Sequence, residues 1–149
     1  MMTVAKTDHV ALARRFVEGV LGGKDPAAFE LVDENVWVST GLKPDAPITS
    51  KREYGEVLAS TLGRAFSEGE MRIEEILETS DGRVLVRFTA TALHSGELFG
   101  VPPSGKRVTM AELHLMRFRE GKLVENFVGA LNPLSFEMIY ADHIAKLIL

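Results

Sequence analysis

Two long alternating segments constrain this chain more than anything else in it: Arg83 to Leu93 (RVLVRFTATAL) and Arg107 to Phe118 (RVTMAELHLMRF). Alternation with period two over such lengths marks half-buried strands. The run between them, His94 to Lys106 (HSGELFGVPPSGK), is too long for a simple hairpin turn. Its glycines and paired prolines fix a defined path, and loops of about this length inside a compact domain tend to be functional.

The flanking sequence supplies helices first and further strands afterwards. Asp8 can cap a helix whose buried stripe is Val10, Ala13, Phe16, Val17, Val20 and Leu21, stopped by Gly22 and Gly23. Asp25 and Pro26 open a second short helix through about Leu31. Asn35–Ser39 reads as a short strand, Thr40–Thr49 as loop, and Ser50 with Glu53 as a capping box that starts a third helix running to about Phe66. Met71–Thr79 is a strand whose alternation is blurred by Glu74 and Glu75. Turns at Asp81-Gly82 and Glu120-Gly121 separate strands Arg83–His94, Val108–Phe118 and Leu123 to about Leu131. Asn132-Pro133 ends the sheet. A terminal helix from Ser135 to about Lys146 carries Phe136, Ile139, Tyr140 and Leu147 on one side.

This order is α+β rather than parallel α/β. The strand from Val84 to His94 would run roughly 35 Å, so it should bend, and a bent sheet on helices can close a cone. The 149 residues suit a single domain spanning 1–149, and 46% hydrophobic with 26% charged residues is ordinary globular composition. A net charge of -4 argues against nucleic-acid binding. The absence of cysteine excludes disulfides, thiolate nucleophiles and cysteine metal sites. The amino terminus does not read as a secretory signal, and no apolar stretch approaches the roughly 20 residues a membrane span needs. No membrane association is expected, and a cytoplasmic location follows by default.

The segment HSGELFGVPPSGKRV, with the first helical region RRFVEGVLGGKDPAAFELVDENVW and the hairpin MRFREGKLVENF, resembles the SnoaL-like polyketide cyclases of the nuclear transport factor two-like superfamily. The resemblance implies a cone-shaped fold, a curved mixed or antiparallel sheet wrapped around N-terminal helices with a C-terminal helix. It also implies a homodimer through the outer sheet face, and an apolar small molecule as ligand. That scaffold hosts several chemistries as well as non-catalytic binders.

In the strand after Gly82, the set Val84, Val86, Phe88, Ala90, Ala92 and His94 is nearly all apolar and should face the interior. Arg87, Thr89 and Thr91 then face outward. The next strand is ambiguous, because both of its faces carry apolar residues. The limonene epoxide hydrolases, which are similar in this hairpin, turn inward the parity that matches Met110, Glu112, His114 and Met116. An inward carboxylate beside an imidazole is what acid–base chemistry needs. His94, Glu112 and His114 are therefore the candidate catalytic residues. Against this stand a structural Glu112–His114 pair and a His94 that only holds its loop. The same three could form a two-histidine, one-carboxylate metal set, but nothing else prepares such a site, so neither metal nor cofactor is expected. Trp37, Phe88, Met110, Met116 and Phe127 are expected to shape the pocket. Tyr54 and Asn126 could add hydrogen bonds, with helix-surface packing and strand-edge satisfaction as the structural alternatives. His9 and His143 are expected at the surface.

Two departures from the cyclases bear on function. Where the resemblance places an aspartate four residues beyond an aromatic, Phe127 is followed by Leu131, and Trp37 is followed by Val38 where relatives often hold a histidine. Two readings follow: cofactor-free acid–base chemistry such as aldol cyclisation or isomerisation, with the site moved to His94, Glu112 and His114, or a binding module of the same fold.

Overall fold

A computed structural model describes residues 8–132 and 137–148. The amino-terminal helix α1, His9–Phe16, is capped by Asp8, whose carboxylate accepts from the Ala11 N–H at 3.1 Å. It widens into a π-helical stretch, Val17–Leu21, and a 3-10 helix, Pro26–Leu31, follows. Strand β1 is Val32–Ser39, longer than its sequence suggested. Helix α2, Lys51–Leu58, has the expected cap: Ser50 Oγ accepts from the Glu53 N–H (3.1 Å), while Glu53 reaches back to the Thr49 N–H (3.3 Å). It too ends in a π-helical stretch, Ala59–Gly63.

Four strands follow: β2 Phe66–Glu78, β3 Val84–His94, β4 Arg107–Arg119 and β5 Lys122–Ala130. The sheet order is β1-β5-β4-β3-β2, antiparallel except that β1 runs parallel to β5. The fold is thus the α+β cone, with one refinement: the sheet is mixed and stays open, with β1 and β2 as its edges. Irregularities at Ser67/Glu70 and Ile73/Glu75 of β2 and at Arg117/Phe118 of β4 bend it. The second of these explains the blurred Glu74-Glu75 alternation, since an extra residue there resets the parity.

A 3-10 turn, Glu137–Tyr140, and helix α3, Ala141–Ile148, complete the chain. The expected helix start at Ser135, Phe136 on its apolar side, and Pro133 lie outside the described residues. Among the described residues no helix is long and apolar enough to cross a membrane.

The main core joins Phe16, Val17 and Tyr54 of the helices to Val84, Val86, Phe88, Met116 and Phe118 of the sheet. A second cluster contains Ala92, Leu98, Val108, Met110 and Tyr140. His9 is half-buried rather than at the surface: it stacks on Phe118 and its Nδ1 donates to the Gly82 carbonyl (3.2 Å), tying α1 to the β2–β3 turn. His143 is also half-buried, its ring stacked at 4.2 Å on Phe99. In both cases a tertiary ring contact, invisible to helix periodicity, covers the imidazole.

Candidate functional site

Strand pairing sets the site. Val86 lies opposite His114, Phe88 opposite Glu112 and Ala90 opposite Met110, while β5 places Asn126 beside Met116. On β4 the parity Val108, Met110, Glu112, His114, Met116 and Phe118 turns to the helices, which resolves the strand whose two faces look alike in sequence.

His114 and Asn126 are almost wholly buried, as is Tyr54 of α2. Asn126 Nδ2 donates to His114 Nδ1 (3.1 Å) and to Tyr54 Oη (3.4 Å). Since His114 Nδ1 accepts, the ring proton belongs on Nε2, which donates to Glu112 Oε2 at 3.0 Å. The Phe88 ring packs against His114 at 5.2 Å. Tyr54 and Asn126 are therefore links in a buried polar chain rather than surface and edge residues, because α2 lays its tyrosine across the inner face of the sheet. Burial, only partly offset by the Asn126 bond, pushes the Tyr54 phenol above its ordinary value, and the Glu112 charge adds to this. It remains a neutral donor.

This chain ends at a cavity of about 190 Å³ walled by Glu112, His114, Tyr54, Val128, Glu137 and Tyr140, among others. A larger cavity of about 560 Å³ lies over Ala90, Ala92 and Met110. Leu21, Leu58 and Leu62 border both, so the two are neighbours along the inner face. The small side chains of Ala90 and Ala92 on β3 leave room there.

The other expected pocket residues divide. Met110 lines the larger cavity, whereas Phe88 and Met116 are packed in the core. Trp37 and Phe127 line neither cavity. They are 36% and 41% exposed and pack on each other at 5.0 Å on the outer face. Val36 and Val38 take the inward parity of β1, which turns Trp37 out, and Asn126 does the same to Phe127.

His94 is fully buried but lines neither cavity. Its Nδ1 accepts from the Ser104 N–H (3.2 Å) and lies 3.0 Å from Ser104 Oγ, and its ring packs on Phe66. It stands six residues beyond Phe88 on β3, roughly 20 Å from the Glu112 pair, so the three candidates do not share one site. Among the described residues no group of three or more candidate ligands could hold a metal.

The loop that His94 anchors has its own task. Leu98 and Val101 exchange backbone hydrogen bonds (3.0 and 2.8 Å) across a tight turn at Phe99-Gly100, where both residues have positive φ. Leu98 is fully buried, and Phe99 packs on Tyr140 (5.1 Å) and His143. The loop thereby holds the carboxy-terminal segment against the cavity.

Glu137 and Tyr140 are the wall residues that sequence reasoning missed. Residues three apart eclipse in a 3-10 turn, so this spacing was the available signal. Burial pushes the carboxyl of Glu137 upward, a bond from its own backbone N–H offsets part of this, and Glu112 adds to the rise. Burial, then Glu137, then Glu112 push the Tyr140 phenol the same way.

Residues 11–128 match the SnoaL-like polyketide cyclases. The chain belongs to the SnoaL-like polyketide cyclase family. It is 30% identical over 116 residues to the aklanonic acid methyl ester cyclase DnrD of Streptomyces peucetius, covering 77% of this chain and 79% of that one. It is 28% identical over 120 residues to the cyclase of the same name, AcmA, of Streptomyces galilaeus, covering 78% and 80%. Among solved structures, AclR of Streptomyces galilaeus superposes with a TM-score of 0.70 at 25% identity, over 91% of this chain and 94% of that chain. IdmH of Streptomyces antibioticus gives 0.69 at 22%, over 90% and 99%. Leu131 is 51% exposed just past β5, and Val38 is buried in the core. The family match ends before Glu137 and Tyr140.

Proposed function

We propose that this chain closes a ring in an apolar, carbonyl-bearing polyketide by cofactor-free intramolecular aldol addition. The observation that carries the reading is the chain Glu112–His114–Asn126–Tyr54 ending at an otherwise largely apolar cavity wall. Its relatives named as aklanonic acid methyl ester cyclases support the reaction class.

The His114 Nε2–H holds one oxygen of Glu112, leaving Oε1 to take the proton from the carbon next to a substrate carbonyl. Asn126 occupies His114 Nδ1, so the imidazole orients the carboxylate rather than abstracting the proton itself. Tyr54 already accepts from Asn126, and its own proton is free to steady the developing enolate oxygen. The C–H electron pair ends in the new C–C bond and the proton is returned to oxygen, so no outside redox partner is required. The larger cavity over Ala90 and Met110 accommodates the apolar body of the molecule. His94 serves the loop and stands outside this scheme.

The test is incubation of the purified protein with aklanonic acid methyl ester, followed by chromatography and mass spectrometry. A product of unchanged mass and shifted retention is expected. Saturable binding without any conversion contradicts the enzymatic reading and favours the binding module.

Pairing of two copies through the outer sheet face is part of the same proposal, supported by the exposed apolar surface of Trp37, Phe127 and Leu131 on that face. Sedimentation equilibrium should give twice the 16.4 kDa chain mass, and Trp37→Glu should give one chain mass. A monomeric unsubstituted protein overturns the pairing.

A further inference from the structure

Two carboxyl groups share the wall of the small cavity, and they are held differently. Glu112 has the His114 Nε2–H at 3.0 Å. Glu137, carried there by the 3-10 turn before α3, accepts from its own backbone N–H, but its Oε2 is buried with no hydrogen-bond partner among the described residues. The titratable groups it shares the wall with are Glu112 and His114 of β4, Tyr54 of α2 and Tyr140 of its own turn, and no lysine or arginine is among them. Leaving a buried carboxylate oxygen unpaired is costly, and two close carboxylates resist ionising together. Glu137 is therefore the carboxyl of the two that holds its proton, and a pair of like groups in unlike environments divides into base and acid.

We propose that Glu137 is the general acid of this cavity, giving its proton to the oxygen of the carbonyl that is attacked as the ring closes. The proposal rests on the ring-closing reading above. Glu112 takes the proton from carbon, and the C–H pair becomes the new C–C bond. The π pair of the attacked carbonyl moves onto its oxygen, which takes the Glu137 proton. Glu112 then carries the proton and Glu137 the charge, and transfer of that proton from Glu112 to Glu137 resets the site. The carboxy-terminal turn thereby supplies the acidic group that Leu131 does not. The Phe99–Tyr140 contact gives the loop a part in holding it.

Glu137→Gln tests this with two readouts, turnover of aklanonic acid methyl ester and thermal stability against pH. Turnover should fall by roughly 100-fold, and any decline of wild-type activity at high pH that follows loss of the Glu137 proton should vanish from the profile. In stability, both folded and unfolded chains hold the proton well below the ordinary value of 4.5. As pH rises past it the unfolded chain releases the proton first, so this carboxyl increasingly opposes folding until pH passes its raised folded value. The variant should therefore gain Tm over the wild type on going from pH 4 to pH 7. Wild-type turnover in the variant, or a Tm difference that does not change with pH, overturns the assignment. If the unsubstituted protein converts nothing, the ring-closing reading falls and this role falls with it; wild-type turnover that the variant retains in full removes Glu137 alone.

Discussion

Glu112→Gln should lower ring-closing turnover by at least about 100-fold while leaving the melting temperature close to that of the unsubstituted protein. The amide keeps an oxygen to accept from His114 Nε2, so the bond that orients this side chain survives. What disappears is the carboxylate that takes the proton from carbon. A loss concentrated in kcat, with KM little changed, is the signature of an interaction made in the transition state. Full activity in this variant would move the base elsewhere. Near-complete unfolding would instead point to Glu112 and His114 as a structural pair.

The second large effect falls on stability and comes from the loop. Gly96→Ala should destabilise the fold by about 3 kcal/mol, lowering Tm by roughly 6–12 °C. The N–H groups of Ser95 and Gly96 both donate to the Ala65 carbonyl, at 3.0 and 2.9 Å, which draws the loop backbone onto the end of α2's helical run. A Cβ on Gly96 would overlap the Arg64 carbonyl oxygen, and backbone on both sides leaves nothing flexible to move. Gly129→Ala is the control. It lies in β5 with open space where its Cβ would point, and it should melt near the unsubstituted protein. Because Leu98 and Phe99 hold the carboxy-terminal segment, the Gly96 variant should also lose activity at temperatures where it remains folded. Equal melting of the two glycine variants would contradict the close approach.

Much of this architecture was legible because period-two patterning records which face of a strand is buried. β3 gave a single answer, with Val84, Val86, Phe88 and Ala92 on one parity and Arg87, Thr89 and Thr91 on the other. β4 did not, since Ala111, Leu113 and Leu115 make its outer face nearly as apolar as its inner one; its inward parity came only from the resemblance of the hairpin, and pairing with β3 agrees with it. Trp37 and Phe127 were misplaced because large aromatic rings suit a pocket and an exposed sheet face equally well. The alternation of Val36 and Val38 was the better guide. His94 looked like a cavity residue from its parity, but its partner, Ser104, comes from the folded path of the loop, which no periodicity encodes. Glu137 went unnoticed for a similar reason. Its approach to Glu112 depends on a tertiary contact between the loop and the carboxy-terminal segment, and its short 3-10 turn follows a different spacing from the helix assumed there.

The most direct measurement is a crystal structure of the Glu112→Gln variant with aklanonic acid methyl ester bound. The reacting carbonyl oxygen should lie within hydrogen-bond distance of Tyr54 Oη, with the carbon that loses its proton roughly 3–3.5 Å from the side chain at position 112. An ester bound on the outer sheet face, or inside with its reacting carbonyl remote from Tyr54 and position 112, would contradict the account.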